Sequence, residues 1–209
     1  DMQESSGPLL PAKGDIEIPA FNSPGTGAGP ASGISARDHV AASNQYFRVA
    51  DPDLIFAFGA SKTIRIWEFY DVAGFTPGSL GRNGPDGEEY RIRRRNQATE
   101  NVGHVVWPGP TDARVTVSGV DGVWVRREVS FDGSQIVDRG YLPGTGEVWN
   151  IVTAKTPLAN SSADVIVGSS RTISVDMWSG RLSLLAVFDR LLTAEERTAD
   201  LTPRLWADL

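Results

Sequence analysis

Arg91, Arg93 and Arg95 alternate along the chain behind Glu88-Glu89, and in an extended strand they share one face with Glu89. Such a stripe suits an anionic partner: an acidic glycan, a phosphate or a carboxylate-bearing protein surface. Guanidinium forks pair well with planar oxyanions. The same stripe also suits a solvated face that discourages edge-to-edge pairing of sheets. Trp107 and Tyr141 lie at strand ends beside the turns Pro108-Gly109-Pro110 and Pro143-Gly144. There a ring can serve as a stacking platform for a sugar or as a lid on the core. These five residues form the candidate ligand-binding set.

Hydrolytic chemistry finds no comparable arrangement. Two-carboxylate hydrolysis needs a pair of acids spaced to face one substrate. Glu88-Glu89 and Glu195-Glu196 are adjacent, so each pair points to opposite faces or belongs to a cap. The chain has two histidines, His39 and His104, and neither sits beside a Gly-x-Ser-x-Gly turn. His104 falls inside the apolar run Val102–Trp107 and reads as structural. Without a nucleophile, base and orienter to connect, a non-enzymatic protein is expected.

Composition narrows the rest. The 209 residues suit one all-β domain better than two small ones. The 22 Gly and 13 Pro are spread along the chain, as many short strands and tight turns require. With no Cys, disulfide frameworks and thiolate sites are excluded. A net charge of −6 argues against nucleic acid as partner, and no run is long and apolar enough for a membrane span.

The elements that would position the candidates are strands. Tyr46–Val49, Lys62–Tyr70, Glu89–Arg94, Val102–Trp107, Ala113–Ser118, Val123–Phe131, Gln135–Tyr141, Glu147–Ala154, Asp164–Val167 and Thr172–Val175 all read as extended. Within Lys62–Tyr70, Ile64 and Ile66 share one face; Thr63, Arg65, Trp67 and Phe69 share the other. Trp67, Trp124 and Trp149 are expected in the core. Asp132-Gly133 predicts a two-residue type I′ hairpin. Pro19–Gly33 is nearly all turn formers and predicts no regular element; residues 8–40 read as a Pro/Gly-rich arm. Leu184–Phe188 predicts a strand covered on both faces, and Thr193-Ala194-Glu195-Glu196 a capping box opening a short helix. The expectation is an all-β, two-sheet antiparallel jelly-roll sandwich over residues 1–209, with one short C-terminal helix.

Four segments in order resemble a laminin-G-like, concanavalin A-like jelly roll. Asp1–Gly7 (DMQESSG) resembles the opening motif, and Ser43–Asp53 (SNQYFRVADPD) the strand before the first core pair. Ser61–Trp67 (SKTIRIW) resembles the Thr-Ile-x-x-Trp strand. Gly180–Glu196 resembles the closing strand, its Phe188-Asp189-Arg190 corner and the helix start. The resemblance implies a non-catalytic recognition module for glycans or proteins, often with a structural calcium. It also resembles domains of bacterial exterior proteins and of bacteriophage tail, fibre and capsid-decorating proteins. Relatives often carry an acidic residue where this chain has Ser183. Asp1, Asp38 and Asp189 remain as oxygen donors for calcium, but each reads more simply as a turn-capping or solvated carboxylate, so no metal or cofactor is expected.

The expected function is therefore a recognition or assembly module, virion-borne or extracellular. The favoured version is a bacteriophage virion component, a capsid-decorating or minor tail protein. Its arm, its 71–100 segment and Trp206 would contact other virion or surface proteins or a second copy of the chain. The alternative is a lectin-like module binding cell-surface glycans.

Overall fold

The computed structural model describes residues 20–50, 56–58, 60–71, 78–84, 87–97, 99–107, 111–157, 163–169 and 177–199. The opening motif Asp1–Gly7, the arm up to residue 19, the strand expected at Thr172–Val175 and Trp206 lie outside them.

Fourteen strands and one helix follow in order: β1 Ala20–Phe21, β2 Gly25–Ala28, β3 Ser35–His39, β4 Tyr46–Ala50, β5 Lys62–Tyr70, β6 Gly78–Gly84, β7 Gly87–Gln97 and β8 Thr99–Val106. They continue as β9 Thr111–Thr116, β10 Trp124–Phe131, β11 Ile136–Leu142, β12 Gly146–Thr153, β13 Asp164–Val167, β14 Gly180–Phe188 and helix α1 Ala194–Ala199. Among the described residues these make two seven-stranded sheets. Sheet I runs β1-β4-β13-β6-β7-β8-β9, and sheet II runs β12-β11-β10-β5-β14-β3-β2. The strand pairs are antiparallel, and sequence-distant strands such as β5 and β14 lie side by side, as in a jelly roll.

Alternation along each strand decides what lies between the sheets. Phe47, Leu80, Tyr90, Ile92, Val106, Val165 and Val167 of sheet I meet Ile64, Ile66, Tyr70, Val129, Phe131, Ile136 and Leu182 of sheet II in the main core. A second cluster holds Val102, Val120, Val125, Trp149 and Ile151. Beside these apolar clusters is a charged layer. Arg127 donates from Nε to Asp138 Oδ1 at 3.0 Å and from Nη2 to Asp138 Oδ2 at 2.6 Å. The same guanidinium crosses the sandwich to the carbonyls of Arg93 and Gly103, joining sheet II to sheet I.

The closing strand is covered on both faces, as its apolar run predicts, but by way of a bulge. The register shifts between Ser183 and Ala186, and Leu184 takes φ 49°. Breaking alternation sends Leu184 to a cluster with Ile34 and Trp67 while Leu185 packs on the main core. The capping box is present: the Thr193 amide donates to Glu196 Oε2 at 2.9 Å, and the Glu196 amide donates to Thr193 Oγ1 at 3.2 Å.

Three expectations are corrected. Residues 20–40 are not a structureless arm, because β1, β2 and β3 form there. Gly25 and Gly27 keep an edge strand flat enough to pair with β3; a Cβ on Gly27 would sit 2.9 Å from the Arg181 Cδ. Asp132-Gly133 is not a two-residue turn. Phe131 pairs with Ile136 across a four-residue loop, in which Asp132 Oδ1 accepts from the amides of Ser134 and Gln135 at 2.8 and 2.9 Å. The side chain caps its own loop, which is a competing way to turn the chain. Finally, of the three tryptophans expected in the core, Trp149 is buried between the sheets and Trp67 is buried with Ile34 and Leu184 on the outer face of sheet II, whereas Trp124 is only partly buried there.

Candidate ligand-binding faces

The arginine stripe lies on β7 in sheet I, and the side chains of Arg91 and Arg93 face neighbours within the protein. The Arg91 guanidinium is 4.7 Å from the centre of the Trp107 ring, a cation–π stack in which Arg91 is only 9 % exposed. Arg93 pairs with Asp112 of β9 at 2.7 Å. Arg95 sits opposite Asn101 in the β7–β8 ladder. Trp107 and Arg91 are thus brought together, but each occupies the other's recognition surface.

Tyr141 is on the opposite sheet. Its ring is 3 % exposed, with the Arg126 guanidinium 4.4 Å from its centre and its hydroxyl 3.3 Å from Glu147 Oε2. Burial, with Glu128 and Glu147 nearby, pushes its phenol up to about 12. A ring so covered is packed into the fold and is not a surface platform, and it does not join the arginine stripe.

His104 completes an arrangement the sequence did not suggest. Its Nε2 is 2.9 Å from Thr153 Oγ1 and its Nδ1 is 3.4 Å from Asp138 Oδ2. The order Thr–His–Asp imitates a hydrolytic triad. However, all three groups are buried between the sheets, and Asp138 also receives Arg127 and the Trp149 indole N–H at 3.1 Å. Burial alone would raise the Asp138 carboxyl; Arg127 and His104 override it and hold the group well below the usual carboxylate range. The arrangement locks the imidazole and has no open face for a substrate. It serves the packing of the sheets.

The calcium donors named from the sequence are also placed. Asp189 is exposed and 3.3 Å from Lys62 Nζ. Ser183, at the position where relatives carry an acid, donates its hydroxyl to the Ser35 carbonyl at 2.7 Å. Asp1 lies outside the described residues. Among the described residues no group of three His, Asp or Glu side chains is placed to hold a metal ion.

A half-exposed cluster remains at one end of the outer face of sheet II. Phe69 (β5) and Trp124 (β10) are cross-strand partners with ring centres 5.5 Å apart. Arg181 (β14) lies 3.9 Å above the Phe69 ring and 5.6 Å from Trp124, and donates from Nη1 to the Ala28 carbonyl at 3.1 Å. Asp38 (β3) pairs opposite Arg181 in the ladder. Burial and then the charge of Asp71 raise the Asp38 carboxyl, with Arg181 opposing. Gly25, opposite Asp38, and Gly27 keep the neighbouring edge strand low. The result is a shelf: the Trp124 ring, the Phe69 ring under one fixed guanidinium, and one partly desolvated carboxylate. Such a mixture of apolar surface and a few oriented polar groups is what a small polar ligand needs. Positions 38, 69, 124 and 181 form no motif. Only the outward parity of Phe69 on Lys62–Tyr70 hinted at the shelf.

No family model matches the chain, and no curated protein matches it by sequence. Solved structures do match its fold. Domain 4 of an extracellular GH43 arabinanase from Geobacillus stearothermophilus, solved with arabinotriose, superposes with a TM-score of 0.58 at 15% identity, covering 94% of this chain and 85% of that one. Tailspike protein 2 of an Escherichia coli O157:H7 bacteriophage matches with a TM-score of 0.55 at 12% identity over 73% of this chain, which spans 22% of the tailspike. The CBM40 of Ruminococcus gnavus IT-sialidase, bound to α2,3 sialyllactose, matches with a TM-score of 0.53 at 13% identity, covering 68% of this chain and 83% of that one. The chain has the lectin/glucanase-type jelly-roll fold expected from its sequence.

Proposed function

We propose that this protein is a non-catalytic carbohydrate-recognition module of an extracellular or tail-associated protein, with its ligand on the Phe69–Trp124–Arg181–Asp38 shelf. The observation that carries the reading is the partly exposed Trp124 ring beside Phe69, whose own ring Arg181 covers, flanked by that fixed donor and by the Asp38 acceptor. The apolar C–H face of a sugar fits an aromatic ring, while its hydroxyls need oriented polar partners. Two of the structures sharing the fold were solved with oligosaccharides, which supports the same class of ligand.

The test is calorimetric titration with a panel of oligosaccharides, using the protein and its Trp124→Ala variant. Binding of at least one member, weakened tenfold or more in the variant, is the expected result. A folded protein that binds none of the panel overturns the reading.

A second reading is a bacteriophage virion component, capsid-decorating or minor tail, that makes protein–protein contacts. It is favoured by the adjoining edge strands β9 and β12, which expose Val115 and Val152. Light scattering with and without calcium separates the two. A stable closed oligomer indifferent to sugars favours assembly, and a sugar-binding monomer favours recognition.

A further inference from the structure

Resting on the glycan reading, the charges around the shelf limit what kind of sugar it takes. We infer that the shelf binds a neutral glycan and rejects sialylated, uronic or sulfated ones. Its cation is Arg181. Opposite it in the ladder is the carboxylate of Asp38, and near Asp38 is exposed Asp71, just past β5, whose amide donates to the Ser179 carbonyl at 3.1 Å. One positive against two negative charges leaves the site with an excess negative charge.

The guanidinium is also held in place. Recognising a carboxylate or sulfate well requires the planar fork to present two N–H groups to it. Here Arg181 Nη1 donates to the Ala28 carbonyl, and the plane lies over Phe69 with its centre 3.9 Å from the ring. That bond uses one of its five N–H groups; the others can serve a hydroxyl, but its single positive charge already lies beside Asp38. The nearest basic side chain on the flanking strand, Arg126 of β10, is turned away. It is fully buried, stacks on Tyr141 and donates to the Arg197 carbonyl at 2.5 Å. Arg94 is likewise spent on Asp121, at 2.7 Å. No second cation among the described residues converges on the shelf to offset an incoming anion.

A neutral sugar meets no such penalty. Its C–H face can rest on Trp124, one hydroxyl can donate to Asp38, and another can accept from Arg181. The assignment differs from the one the alternating arginines suggested: Arg91 and Arg93, the chain's apparent anion site, are stacked on Trp107 and paired with Asp112.

The experiment uses the whole chain and matched probes: lactose against 3′-sialyllactose, galactotriose against trigalacturonate, with arabinotriose, maltotriose and chitotriose as further neutral members. The expected result is binding confined to neutral probes, each at least tenfold tighter than its acidic counterpart. Affinity should change less than twofold between 50 and 500 mM NaCl, because no net ion pair forms. Asp38→Asn, which keeps the shape and removes the acceptor charge, should weaken neutral binding at least fivefold without shifting the unfolding midpoint. Tighter binding of the acidic member, or affinity that falls steeply with salt, overturns the inference while leaving glycan recognition standing. Binding of no probe overturns both.

Discussion

Arg127 and Asp138 hold each other in a two-point fork between the sheets, with N–O distances of 3.0 and 2.6 Å, and neither side chain reaches solvent. Burial alone would lower the Arg127 pKa, but Asp138 and then Glu68 more than offset it, so the guanidinium stays charged. Because Arg127 also binds the Arg93 and Gly103 carbonyls, it fixes how sheet II sits on sheet I.

Arg127→Met leaves Asp138 buried against only His104 and Trp149, so it should cost about 3–5 kcal/mol. Replacing both partners, as Arg127→Met with Asp138→Leu, should recover part of that loss, since Asp138 no longer stands as a buried charge without its partner; Glu68, 3.7 Å from Arg127, keeps the recovery partial. Urea unfolding of the two variants and the parent checks this. A double variant as unstable as the single one would show that the pair's charges are not the issue.

Gly140 should tolerate no side chain. It sits opposite Trp149 across the β11–β12 ladder, and a Cβ there would lie 2.3 Å from three atoms of the indole ring. Gly140→Ala should therefore destabilise by about 3 kcal/mol through overpacking, more than at an open loop glycine. Gly119→Ala, where a Cβ meets nothing but φ is 73°, is the control that isolates backbone strain. Thermal unfolding should rank Gly140→Ala well below it.

His39 should make the protein acid-sensitive. Burial pushes its imidazole down to about 4, with the Gln45 carbonyl opposing and Arg37 adding to the shift. Between pH 6.5 and 4 the unfolded chain takes up a proton there while the folded one does not, so stability falls as pH falls through that window and levels off below it. A difference of this size corresponds to roughly 3 kcal/mol. Urea midpoints at pH 7 and pH 4.5 should therefore converge more in His39→Phe than in the parent. Parallel losses in the two proteins would assign the acid sensitivity elsewhere.

The cap on α1 should matter locally. Arg190 forks onto Glu196 at 2.6 Å through each nitrogen, and Glu196 also accepts from the Thr193 amide. The Arg190 bond and then the Thr193 amide lower the Glu196 carboxyl to about 2. Thr193→Ala should speed amide exchange in residues 194–199 and leave the global unfolding midpoint nearly unchanged, because α1 is a short surface helix.

The strands were legible because alternation is a local property. Lys62–Tyr70 and Asp164–Val167 match their expected bounds, and the Thr193–Glu196 box needs only four consecutive residues. Pro19–Gly33 misled for the same reason. Nothing in Gly25–Ala28 favours a strand by itself; the edge of β3 supplies the pairing partner, and the small side chains leave room for Arg181.

The candidate site was mostly not legible. Alternation placed Arg91 and Arg93 on one outward face, but it could not say that Trp107 and Asp112 would cover them. Tyr141 stood at a strand end beside a turn, yet Arg126 from the neighbouring strand closes over it. By itself the sequence determined an all-β sandwich with a capped terminal helix, because side-chain period and turn chemistry act between residues close in the chain. Only the tertiary structure decided which side chains meet. Asp38, Phe69, Trp124 and Arg181 become neighbours through ladders joining β3 to β14, β14 to β5 and β5 to β10, contacts that no local spacing records.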